Sequence, residues 1–144
     1  MSYYFTKEDF KVFSDLLGKQ CDEHGAANSW SLSNADTGQS LVMTIYNEVS
    51  LGKDTQGNLI SVQTQHGYFE LHDCTGYMIF EPDEVIFVQY NLGKVSCLII
   101  GKMCNCSLFS NIRRELLNAD FAQLDPAVLM AAMQLSLTES ILDN

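Results

Sequence analysis

Three side chains between positions 66 and 74 are metal-ligand types: His66, His72 and Cys74, with Asp73 beside them. Zinc takes imidazole, thiolate and carboxylate groups in a tetrahedral set. A six-residue spacing between histidines does not by itself define such a set, because the intervening turn decides whether the rings meet. The expectation is a pair of exposed histidines. A second group is Cys104-Asn105-Cys106, with Cys97 a little earlier. One residue separates the two thiols, so the C-x-x-C redox motif is absent. A zinc or iron–sulfur site would need a fourth ligand. Two readings stay open for this pair. A helix starting just after them would lower a thiol pKa and make it reactive; otherwise they are ordinary thiols in a connection.

No recognisable nucleophile context is present. There is no G-x-S-x-G elbow, no G-x-G-x-x-G and no phosphate-binding P-loop. Glu81, Asp83 and Glu84 crowd one turn but lack the spacing of a calcium loop. They read as a solvated turn. No catalytic, metal or cofactor-binding residue is assigned, and the chain reads as a non-enzyme.

Two binding readings remain. If the sheet curves, Trp30 and Tyr68 become walls of a small-molecule pocket, with His66, Glu70 and His72 as polar contacts. Alternatively, apolar helix surface serves as an interface. The candidates are Tyr3, Tyr4 and Phe5 at the start, and Met130, Met133, Leu137 and Ile141 near the end. Methionine adapts to variable partners. The second reading leads: a non-catalytic protein-binding domain (adaptor, regulator or client-specific chaperone), a homodimer, a binder of a protein partner, or both. The pocket reading, with binding or modest enzymatic activity, is the alternative.

The elements that must position these residues follow from periodicity. Thr6 reads as a helix N-cap with Asp9 as a short capping-box partner, and Phe5 and Phe10 as a hydrophobic staple. Phe10, Phe13, Leu17 and Cys21 recur at helical spacing, which predicts a helix from about 7 to 23, ended by Gly25. Period-two alternation then predicts strands at 29–33, 40–49, 59–65, 68–72 and 77–80, with a turn at Asn34–Gly38 and an exposed loop over 50–58. The run EVIFVQY, a three-residue NLG loop and KVSCLIIG form a central hairpin. Both of its faces are apolar, so both must be covered. Beyond Gly101, Leu108, Phe109, Ile112, Leu116 and Leu117 suggest one helix, and Asp125-Pro126 opens a second over 126–142. No helical stretch separates any two strands, which excludes βαβ units. The expected fold is a single α+β domain over 1–144. It has one antiparallel, strongly curved sheet of five to seven strands, one N-terminal helix and two C-terminal helices.

Composition bounds the rest. The chain has 144 residues, 18 acidic against 8 basic, a net charge of -10 and a pI near 4.4. Such a charge repels nucleic acid. No apolar run approaches the roughly 20 residues of a membrane span. The start MSYYFTKEDF lacks the pattern of a secretory signal. Five cysteines do not close into pairs within one chain. A cytoplasmic protein with reduced thiols, binding neither nucleic acid nor membrane, is the expectation. In outline, with its small acidic chain, N-terminal helix and helix-flanked antiparallel sheet, it resembles the bacterial secretion chaperones. Leu92-Gly93 with residues 105–111 and Arg113 also resembles roadblock-type regulatory domains. The unbroken strands from 29 to 101 depart from both patterns, so neither resemblance transfers residue roles.

Overall fold

The computed structural model describes residues 3–52, 55–80, 83–91 and 94–113. In chain order these form α1 (Lys7–Leu17), β1 (Asp22–His24), β2 (Ala27–Asn34), β3 (Gln39–Gly52), β4 (Thr55–Thr64), β5 (Tyr68–His72), β6 (Gly76–Phe80), β7 (Glu84–Asn91), β8 (Lys94–Gly101) and β9 (Cys106–Arg113). The strands make two antiparallel sheets, one of β1 to β5 and one of β6 to β9, each a meander in sequence order. The α+β class and the antiparallel pairing agree with the sequence. The single curved sheet does not.

The break falls at 73–75. Asp73 takes a left-handed backbone conformation (φ 61°), which turns the chain out of the first sheet. Its amide donates to the carbonyl of Asn58 at 2.9 Å. The Cys74 amide donates to Asn58 Oδ1 at 2.8 Å, and Asn58 Nδ2 donates back to the Cys74 carbonyl at 2.9 Å. Two residues later the pairing has changed: Thr75 N donates to the carbonyl of Val88, in the second sheet. One buried asparagine thus pins the crossing. Asn58 is fully buried rather than part of the expected exposed loop, because β3 and β4 continue to Gly52 and from Thr55.

Helix α1 begins as its sequence implies. Thr6 Oγ1 accepts from the Asp9 amide, and the Asp9 carboxylate accepts from the Thr6 amide at 2.9 Å. Phe5 stacks on Phe10, centroid to centroid 6.4 Å. The helix stops at Leu17, not near 23, because Gly18 adopts the left-handed cap (φ 68°) and returns its N–H to Ser14 O. The residues assigned to its last turn instead form β1, which pairs Asp22–His24 with Ala27–Ser29 across Gly25. The helical position of Cys21 was a coincidence of spacing.

The core is aromatic and lies where α1 meets both sheets. Phe13 sits at its centre, 4.8 Å from Tyr77, 5.3 Å from Phe87 and 6.0 Å from both Phe5 and Trp30, all edge-on. Trp30 is fully buried, and its indole N–H donates to Ser14 Oγ at 2.9 Å. Leu41, Met43, Ile45, Ile60 and Val62 extend this core along the first sheet, and Val85, Leu98 and Ile100 along the second. The opposite face of the first sheet alternates to polar side chains, such as the Ser29–Thr44 hydroxyl pair at 3.1 Å.

The β7–β8 hairpin behaves as its two apolar faces require. Val85 and Phe87 face the core with their partners Ile100 and Leu98. Ile86, Val95, Cys97 and Ile99 lie on the other face and are buried as well. The strands reach Asn91 and Lys94, so two residues separate them rather than three.

After Gly101 the expected helix over Leu108–Leu117 is replaced, as far as Arg113, by β9, paired antiparallel with β8 with a register shift between Val95 and Cys97. Cys106 and Leu108 pack toward the core while Ser107 is exposed, a period of two. A β8 buried on both faces needs a second neighbour for its backbone groups, and that requirement outweighs the helical spacing. The helix expected over 126–142, with Met130, Met133, Leu137 and Ile141, lies outside the described residues.

Asp9 ties the N-terminus to the second sheet. It accepts hydrogen bonds from Tyr3 Oη at 2.7 Å and Tyr77 Oη at 2.6 Å, besides the Thr6 amide. Burial alone would raise its pKa, but the donors from Thr6, Tyr77 and Tyr3 outweigh burial and hold it below the ordinary aspartate value. Conversely, the hydrogen bond to Asp9 pushes Tyr3 up to about 12. The folded chain therefore binds fewer protons at Asp9 than the unfolded chain does at acid pH. This stabilisation is present above the unfolded aspartate value of about 3.9 and lost as pH falls through the folded pKa. Asp9→Asn is expected to flatten that acid limb. Urea midpoints taken between about pH 5 and pH 2 should fall less in the variant than in the parent. Parallel slopes would show that Asp9 does not carry the linkage.

Candidate functional site

A concave feature that draws on both sheets lies where three turns converge. It is a cleft of about 340 Å³, at the lower end of the range for small-molecule sites. Three segments form it: the start of β3 with Gln39 and Ser40, the β4–β5 turn with Thr64 to Gly67, and the β8–β9 connection with Cys104 to Cys106. Phe69 and the two thiols make its apolar part; His66, the Gln39 and Gln65 amides and Asn105 its polar part.

Local structure fixes each wall. Thr64 Oγ1 accepts from the amides of His66 and Gly67 at 3.2 and 2.9 Å, which folds the turn and sets the backbone of His66. Gln65 Nε2 donates to the Gly38 carbonyl at 2.9 Å and joins that turn to the β2–β3 turn. In the β8–β9 connection, Gly101 N donates to Asn105 O at 2.8 Å and Cys104 N donates to Gly101 O at 3.1 Å. A side chain at 101 would displace the side chain of Asn105 from this wall. Cys104 has a left-handed backbone (φ 69°). That conformation is uncommon for a non-glycine residue and of a kind that concentrates at functional sites.

The thiols are not poised for attack. Burial raises the pKa of Cys104, and that of Cys106 to about 11, so both stay protonated at neutral pH. No helix N-terminus follows them, since Cys106 starts a strand. The reactive-thiol reading is therefore overturned. Among the described residues no group of three His, Cys, Asp or Glu side chains could hold a metal ion. His66 and His72 lie beyond opposite ends of β5 or at its limit, and Cys74 is buried at the sheet crossing with its pKa raised by burial to about 12.

The sequence-derived pocket set is scattered. Only His66 lines the cleft. Trp30 is a core residue. Tyr68, Glu70 and His72 project from the outer face of the first sheet, where Glu70 accepts from Tyr68 Oη at 2.6 Å and contacts His72 Nε2 at 2.6 Å. Those two hydrogen bonds, the one from Tyr68 first, hold the Glu70 pKa below its ordinary value. Gln39, Ser40 and Asn105 were not singled out by the sequence as pocket residues. Their only signal was proximity to turns, and turns do not announce which other turns they meet.

The expected helix interface is also overturned. The apolar face of α1 is turned into the core through Phe13 and Leu17. Tyr3 packs on Phe5 and Tyr77, and Phe5 is buried; of that cluster only Tyr4 is exposed. Among the described residues no helix is long and apolar enough to cross a membrane.

The fold and the cleft define a class, a small two-sheet antiparallel α+β domain with a cleft where three of its turns converge. No family model, curated protein or solved structure matches the chain.

Proposed function

We propose that this domain binds a small molecule in the cleft between Gln39, His66 and Cys104–Cys106, and that it does so without catalysis. The observation that carries this reading is the assembly of one cleft from three separate turns of two sheets, with an apolar patch beside amide and imidazole groups. Such a mixture suits a ligand with one flat apolar part and several hydrogen-bonding groups. The buried, protonated thiols support binding over nucleophilic chemistry.

A fragment screen by amide-shift mapping on the full chain tests this. Flat heteroaromatic fragments are expected to shift residues 39–40, 64–67 and 104–106 together. His66→Ala should weaken the best of them by about tenfold, the loss of one good polar contact. Gln39→Tyr, which enlarges a lining residue on the same face of β3 as Leu41, should abolish binding in a chain whose Trp30 emission shows it folded. Fragments that bind equally well to both variants would place the site elsewhere.

A further inference from the structure

A second cleft lies beside the start of the β8–β9 connection, where Asn34 Nδ2 donates to the Met103 carbonyl at 3.2 Å. It measures about 280 Å³ and is bounded by the end of α1, by β2 and by Lys102 and Met103. Two of the eight basic residues of this acidic chain, Lys19 and Lys102, line it, and among the described residues no acidic one does. The Lys102 ammonium lies over the helix cap, 3.5 Å from where a Cβ on Gly18 would stand. Among the described residues the one side-chain ion pair is His72–Glu70, so neither lysine is ion-paired to a described carboxylate. Ser31 and Ser33, exposed on β2, border the same cleft.

A structural role would be to offset the negative end of α1. That end is equivalent to about half a charge, and two ammonium groups exceed it. The helix end positions the lysines and leaves a positive surplus facing a polar recess. We infer that this cleft binds a compact oxyanion, the phosphate or carboxylate group of a small metabolite. Lys19 and Lys102 supply both the charge and the hydrogen-bond donors. The surrounding net charge of -10 repels anions at long range, so recognition depends on direct contact inside the recess. This site shares no residue with the His66 cleft, so either can fail without the other.

The test is an amide-shift titration of the full chain with inorganic phosphate, with citrate and with chloride, at matched ionic strength. Saturable shifts at Gly18, Lys19, Ser31, Ser33 and Lys102 with phosphate or citrate, and none with chloride, are expected. Lys102→Met and Lys19→Met should each weaken the binding by about tenfold while Trp30 emission stays unchanged. A stronger response to phosphate assigns a phosphorylated ligand; a stronger response to citrate assigns a carboxylate. Identical shifts with chloride, or titrations unaffected by both substitutions, would overturn the site and leave the lysines with the helix end alone.

Discussion

Phe13→Ala is expected to lower the unfolding free energy by about 4 kcal/mol, within the range for deleting a buried aromatic ring. Phe13 is fully buried and touches five rings: Phe5, Phe10, Trp30, Tyr77 and Phe87. Those rings come from the N-terminal segment, from the helix itself and from both sheets. No single movement can close the cavity, because its walls belong to four separate elements. The loss is a large share of a typical domain stability of about 5–15 kcal/mol. Urea unfolding followed by the emission of Trp30, the sole tryptophan, measures it directly. The midpoint should fall with the slope unchanged. Phe13→Leu keeps most of the volume and should cost only about 1.5 kcal/mol. Equal losses in the two variants would mean that ring packing is not what joins the sheets here.

Asn58→Ala is the second large effect, about 3 kcal/mol. The side chain accepts from Cys74 N and donates to the carbonyls of Cys74 and Tyr3 at 2.8–2.9 Å. Alanine leaves the Cys74 amide without its acceptor in a buried place, and each unsatisfied buried group costs about 1–3 kcal/mol. The Tyr3 carbonyl loses a donor at the same time. The damage should therefore extend to the N-terminal segment, whose other ties include Tyr3 N to the Cys74 carbonyl, Tyr3 Oη to Asp9 and the Asn47 amide group around Phe5. Hydrogen exchange at Tyr3 and Phe5 should accelerate more than exchange in β7 and β8. Asn58→Asp discriminates further. It keeps the acceptor for Cys74 N but aims a charge at two carbonyls, so it should be at least as damaging as alanine at neutral pH and should recover on acidification. An aspartate variant as stable as the parent would show that the donors from Asn58 contribute nothing.

Much of the local structure was legible in the chain. Thr6, Asp9, Phe5 and Phe10 announce the helix start because capping and stapling act between neighbours in sequence. Alternation located β2 to β5 because a strand with one buried face writes that period into its residues. The two apolar faces of Glu84–Gly101 foretold a strand pair buried on both sides. Antiparallel order followed from the absence of any helical crossover.

Tertiary structure alone decided the rest. Nothing in the sequence around Asp73-Cys74-Thr75 distinguishes a turn within one sheet from a passage between two. The difference lies in Asn58, fifteen residues earlier, and in Val88, beyond the next strand. Leu108 carries helical spacing, yet β8 needed a neighbour, and backbone pairing overrode the pattern. The pocket set failed for a related reason. Tyr68, Glu70 and His72 share a strand face, but the burial of Ile60, Val62 and Leu71 sends that face to solvent. The clefts are made instead where turns from distant parts of the chain converge. Caps and strands are short-range consequences of residue type, and the sequence determines them by itself. A cleft built from residues 39, 66 and 104 exists only once two sheets have packed on one helix, because only packing sets the distances between turns.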